Sequence, residues 1–187
     1  MDRPRRTSFN EPGHAHFLTF SCFRRCQVFT DDEVCRLFAE TLDRARELHD
    51  FDLWVYVIMP DHVHLLIRPR RSEYRIAIIL KGIKAPFEKW LLADWKEEHP
   101  TRLRRLSART AAGVVHRVWQ RGGGFDRNVY TYELVGRAVQ YIEGNPVRKG
   151  LVTDPIQWKW SSACARSGGV DIPLRIDAID RELTRVE

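Results

Sequence analysis

Residues 51–68, FDLWVYVIMPDHVHLLIR, hold two apolar runs separated only by Met59-Pro60-Asp61. Phe51 to Ile58 and His62 to Arg68 each have strand length and composition, and so short a connection returns the second run antiparallel to the first, as a hairpin. Upstream, residues 15–23 (AHFLTFSCF) read as another strand with aromatic residues on both faces. Between them, Thr30 with Glu33 has the form of a capping box, and Val34, Leu37, Phe38, Leu42, Ala45 and Leu48 share one helical stripe, which predicts an amphipathic helix over 31–49. A second helical pattern starts near Ser72 and Glu73 with Ile76, Ile79, Leu80 and Ile83 inward. Pro86 is expected to break or kink it before Phe87 to Trp95 resumes the pattern. Residues 96–113 are Arg-rich and aperiodic and read as a loop, and the apolar Val114 to Trp119 runs into a flexible turn at Arg121-Gly122-Gly123-Gly124. A third helix is expected from Tyr132 to Gly144, ended by Asn145-Pro146. Strands, helices and a hairpin in 187 residues predict one α+β domain over 1–187, an antiparallel sheet with helices packed on it.

Composition narrows the function. With 43% apolar residues the chain can bury a core, which excludes global disorder. Its apolar runs fall far short of a membrane span, so no membrane partner is expected. MDRPRRTSFN carries charge without a following apolar stretch, so no secretory signal is read there. Cys22, Cys26, Cys35 and Cys164 are too few for a disulfide scaffold and read as reduced thiols of a cytoplasmic protein; Cys22 and Cys26 lack the second pair that zinc would need. Net charge is +6, carried by 25 Arg and only 6 Lys. Residues 101–150 hold ten basic and three acidic residues. Guanidinium forks grip phosphate and stack on flat rings, so the bias suits a nucleic-acid partner, against the plainer reading of a solvated surface.

Two short patterns carry chemistry. In a strand His62 and His64 project from the same face while Val63, Leu65 and Ile67 face the other way, and two neighbouring imidazoles can chelate a divalent metal or simply pack the sheet. Tyr141 and Asn145 are one helical turn apart, with Leu134 and Ala138 flanking the ring; they form either a functional pair or a core-edge residue and a helix cap. His116 reads as a strand-face residue, and Trp158 with Trp160 as a cover for the core.

The string Met59-Pro60-Asp61-His62-Val63-His64-Leu65-Leu66 resembles the metal motif of single-tyrosine HUH transposases. Three later strings resemble one branch, the REP-associated tyrosine transposases: Val118-Trp119-Gln120-Arg121; Tyr141-Ile142-x-x-Asn145-Pro146-Val147-Arg148-x-Gly150-Leu151-Val152; and Trp160-Ser161-Ser162. The matches span roughly 15–163 and leave residues 164–187 unassigned. The resemblance implies an HUH-endonuclease fold with a ferredoxin-like palm and a metal-dependent single-strand DNA endonuclease and strand transferase. His62, His64 and Asn145 would hold Mg²⁺ or Mn²⁺, and Tyr141 would attack phosphorus to leave a 5′-phosphotyrosine and a free 3′-OH. Free tyrosine, with a pKa near 10, is a poor nucleophile at neutral pH, so the metal is expected to offset charge growing on the phosphate. The implied partner is single-stranded DNA carrying hairpins such as repetitive extragenic palindromes, bound by a monomer or homodimer in a bacterial cytoplasm, near the nucleoid. Arg102, Arg104, Arg105, Arg109, Arg121 and Arg148 are expected on phosphates, and Trp119, with Phe125, on unpaired bases. Two other classes stay open: a silent DNA- or RNA-hairpin binder of the same fold, and a hydrolytic phosphoesterase. The latter would need a second metal motif, for which His14-Ala15-His16 is the only HxH available.

Overall fold

The computed structural model describes residues 10–169 and 174–179. Strands β1 (Ala15–Ser21), β2 (Phe51–Met59), β3 (His62–Pro69) and β6 (Phe125–Val129) form one antiparallel sheet in the order β2-β3-β1-β6. Helices α1 (Asp32–His49) and α2 (Ile76–Glu97) cover one face. The other face takes α4 (Tyr132–Glu143), followed at once by the short α5 (Asn145–Arg148). The expected hairpin is β2–β3, paired from Phe51↔Pro69 to Met59↔His62.

Strand period divides the core. Val63, Leu65 and Ile67 of β3 join Leu18 and Phe20 of β1 beneath α1 and α2. Leu66 joins Ala15, Val55 and Val57 beneath Val135, Ala138 and Ile142 of α4. Both faces of β2 are covered, which is why its sequence is almost wholly apolar. A register shift between Leu53 and Val55 turns Trp54 to the α4 side as well. The free edge of β2 is covered from the C-terminal part of the chain. Ile58 N donates to Trp160 O at 2.9 Å, and Asp177 both donates from its N–H to Leu53 O and accepts from Leu53 N, each at 2.8 Å. Residues 174–179, left unassigned by sequence, thus seal a sheet edge that would otherwise be open to pairing. Trp160 is buried in the main core as expected.

Several local expectations change. α1 begins at Asp32 with Asp31 at its N-cap and no side-chain cap, so Thr30 and Glu33 form no capping box, and Leu48 is exposed. α2 runs unbroken through Pro86, whose ring is on the solvent side, while Ile76, Ile79, Leu80, Ile83, Phe87, Leu91 and Trp95 are buried. Seven buried apolar side chains at about 1.5–3 kcal/mol each outweigh the proline penalty of about 3 kcal/mol. The stretch 96–113 is not a loop: after α2 come α3 (Pro100–Arg105) and the two-stranded hairpin of β4 (Ser107–Thr110) and β5 (Gly113–His116). A short α6 (Ser162–Arg166) follows the Trp158/Trp160 pair. All four cysteines are free, with Cys22 and Cys35 buried. Among the described residues no helix is long and apolar enough to cross a membrane.

Candidate active site

The site is on the α4 face of the sheet, where alternate residues of three strands point into one hollow of about 540 Å³. β3 supplies His62 and His64, β1 supplies Phe17 and Thr19, and β6 supplies Phe125, Arg127 and Val129. Thr131 caps α4 by accepting from Leu134 N, and the Val135–Ala138–Ile142 stripe seats the helix, so Tyr141 is set at the rim. Its ring meets Phe17 and His64 edge-on at 5.5 and 5.6 Å, and 48% of the residue remains exposed. Arg148 stands 4.3 Å over the ring and donates to Tyr141 O. Asn145 does not act as a simple cap: it is buried, with Nδ2 2.8 Å from His64 Nε2.

The imidazoles are held from behind. His62 Nδ1 is 2.6 Å from Asp61 Oδ1, and His64 Nδ1 is 2.7 Å from Thr19 Oγ1. These partners leave the two Nε2 atoms facing each other at 3.1 Å. Burial pushes both histidines below their ordinary pKa, and for His64 the neighbouring His62, Arg148 and Arg25 push the same way; Asp61 opposes the shift at both. Both rings are therefore neutral near pH 7, the form that ligates a metal.

These residues fit a divalent metal. Two nitrogens at right angles on a metal with bonds of about 2.1 Å stand about 3.0 Å apart, close to the 3.1 Å between the Nε2 atoms. Asn145 Oδ1 is buried without a hydrogen-bond partner, and a half-turn of the amide presents it to His64 Nε2 in place of Nδ2. Two imidazoles whose other nitrogens are fixed by a carboxylate and a hydroxyl, plus one amide oxygen, are the donor types that could hold such a metal.

Around this centre the hollow is lined by Arg25, Arg127, Arg137 and Lys149 and by no carboxylate. Arg25 also pairs with Asp61 at 3.3 Å. The expected cations are distributed differently. Arg148 is at the site, but Arg102, Arg104 and Arg105 lie on α3 and do not line the hollow. Arg102 is engaged by Asp31 and stacks over Trp95, away from the hollow. Arg109 and Arg121 line a separate groove. Trp119 is no stacking platform. It is 5% exposed among Phe20, Phe29, Phe38 and Phe87, with Nε1 donating to Lys84 O. Phe125 does open onto the hollow.

Sequence alone assigns no site role to Thr19 or Arg25, reads Asp61 only as part of the motif string, and reads Arg127, Arg137 and Lys149 only as part of the basic excess in 101–150. Thr19 is opposite His64 in the β1–β3 register, a signal that appears only once that register is known. The HxH at His14 and His16 offers no second metal centre. His16 is buried in β1 between Asp126 (2.8 Å) and Tyr74 Oη (2.7 Å), so both its nitrogens are committed.

Comparison with known proteins agrees with this architecture. A Haemophilus influenzae protein described as a REP-associated tyrosine transposase is 23% identical over 150 residues, 80% of each chain. A solved REP-associated tyrosine transposase, bound to a REP hairpin, superposes with a TM-score of 0.65 at 18% identity, covering 98% of this chain and 97% of the other, and so shares its fold. The model of the family described as "Transposase IS200 like" matches residues 12–106, a span that includes both histidines and stops short of Tyr141. With that match over half its length, the chain belongs to the IS200-like transposase family.

Proposed function

We propose that this transposase-family chain nicks and rejoins single-stranded DNA through a covalent Tyr141 intermediate. The observation that carries the reading is the convergence of Tyr141 and Asn145 on the His62–His64 pair inside a hollow lined by cations and free of carboxylates. His62, His64 and Asn145 would hold Mg²⁺ or Mn²⁺, which would draw negative charge from the phosphate during displacement. The protein's own residues do the rest. Arg25, Arg127, Arg137 and Lys149 hold the phosphodiester by charge, and Phe17 and Phe125 offer flat faces to unpaired bases. The phenolic oxygen of Tyr141 forms a bond to phosphorus as the P–O3′ bond breaks. The phenol gives up its proton to solvent, which reaches the half-exposed ring, and the leaving 3′-oxygen gains one. One phosphoester replaces another, so a different 3′-OH can reverse the step. The solved relative's REP hairpin suggests a hairpin-bearing strand as substrate here too.

The test is denaturing electrophoresis of the full chain after incubation with labelled single-stranded hairpin DNA and Mn²⁺. The wild type, Tyr130→Phe and Tyr132→Phe should form a covalent adduct and Tyr141→Phe none, while still binding the DNA. An adduct that survives in Tyr141→Phe overturns the reading.

A further inference from the structure

The chain leaves β1 through a tight turn, Phe23–Arg25, in which Arg24 (φ 51°) and Arg25 (φ 57°) are both left-handed. Two successive non-glycine residues in that region are costly, and the turn sends their side chains to different places. Arg25 faces the catalytic hollow, whereas Arg24 faces a second groove of about 920 Å³. The far wall of that groove is the β4–β5 hairpin, outside the span matched by the family model. Four guanidiniums surround it, from Arg24, Arg109, Arg117 and Arg121, and its lining contains no Asp or Glu. Arg24 and Arg117 stack on Phe23 at 4.9 and 5.6 Å, which fixes two of the four as a pair of like charges.

We propose that this second groove holds the sugar-phosphate backbone of the DNA segment flanking the one cut, so that a strand runs from the catalytic hollow over the Arg24–Arg25 turn and along the β4–β5 hairpin. The proposal rests on DNA being the substrate. Four cations brought together without a carboxylate repel one another until a polyanion arrives, and a chain of phosphates satisfies them in series where a small anion would engage one or two. Continuity comes from the turn itself. Arg24 N donates to Gln120 Oε1 at the groove, and Arg25 is tied to Asp61, the residue that holds His62. The two grips are thus one residue apart.

The test measures binding alone, by fluorescence anisotropy of a hairpin oligonucleotide with a single-stranded flank, in the full chain carrying Tyr141→Phe. Adding Arg109→Gln and Arg121→Gln removes two exposed cations. If each holds a single-strand phosphate, the slope of log affinity against log salt falls by about 1.4 and affinity at 0.1 M salt by about 25-fold. Arg44→Gln with Arg75→Gln, exposed cations on α1 and before α2, removes the same charge elsewhere and should leave the slope unchanged. An unchanged slope in the groove variant, an equal fall in the control, or no DNA binding by the parent overturns the proposal. A groove effect in a protein whose wild type forms no adduct would sink the nicking reading and leave the groove standing.

Discussion

Thr19→Val tests whether the histidine pair is a metal site or only a packed pair. Valine keeps the β-branched shape that suits β1 and removes the one hydroxyl that faces His64 Nδ1 at 2.7 Å. Its loss leaves the buried Nδ1 of His64 unpaired, so folding should lose about 1–3 kcal/mol. Metal affinity should suffer as well, because the ring's orientation and the availability of Nε2 depend on what holds Nδ1. Removing such an orienting partner costs about 10- to 100-fold in affinity, which is about 1.4–2.7 kcal/mol. Mn²⁺ titration of the full chain, followed by the electron paramagnetic resonance of free Mn²⁺, reads the affinity without any turnover. The wild type should bind Mn²⁺, His62→Ala should lose the site, and Thr19→Val should fall between them. Equal affinity in the wild type and Thr19→Val would refute the orienting role, and full affinity in His62→Ala would refute the donor set.

Trp119→Ala should destabilise the fold by about 3–5 kcal/mol in urea unfolding, as loss of a buried aromatic does, while the milder Trp119→Phe keeps its DNA salt slope; a stable protein with selective loss of DNA binding would restore the stacking role. Gly124→Ala places a Cβ 2.1 Å from Thr19 O at a φ of +79°, so it should lower the melting temperature and adduct yield together, with strain alone worth about 1–3 kcal/mol; an unchanged melt refutes the close approach. Burial raises Cys35 from 9.0 to about 12, with Asp32 and Asp31 adding to it. Because the folded thiol's pKa lies above the unfolded one, its contribution to stability is full below pH 9 and drains as pH rises toward 12; rapid iodoacetamide labelling of native Cys35 at pH 8 would contradict this.

What the sequence reveals depends on whether a segment's neighbours are local. The β2–β3 hairpin and the shared face of His62 and His64 are legible because strand period and a two-residue turn are properties of adjacent residues. α4 is legible for the same reason, and with it the Tyr141–Asn145 spacing. β6 is not. Of its alternating faces, one (Phe125, Arg127, Val129) looks into the hollow and the other holds Asp126 against His16, so it lacks a strand's apolar alternation. The β4–β5 hairpin carries no buried residue and shows no period either. Trp119, set among arginines and glycines, reads as a surface aromatic until Phe20, Phe29, Phe38 and Phe87, all distant in sequence, close around it. Arg102 likewise looked free because Asp31, its partner, is 71 residues away.

The two faces of the sheet are unequally anchored. α1 and α2 bury six and seven apolar side chains, against the sheet and each other, whereas α4 buries only Val135, Ala138 and Ile142. Cooperative units of a protein open at free energies set by such local burial, and the most weakly held opens first. With about half the buried stripe of either helix on the other face, α4 is the layer that local opening would reach first. A strand joined to Tyr141 would be attached to that more lightly buried layer, and the histidine pair belongs to the sheet beneath it.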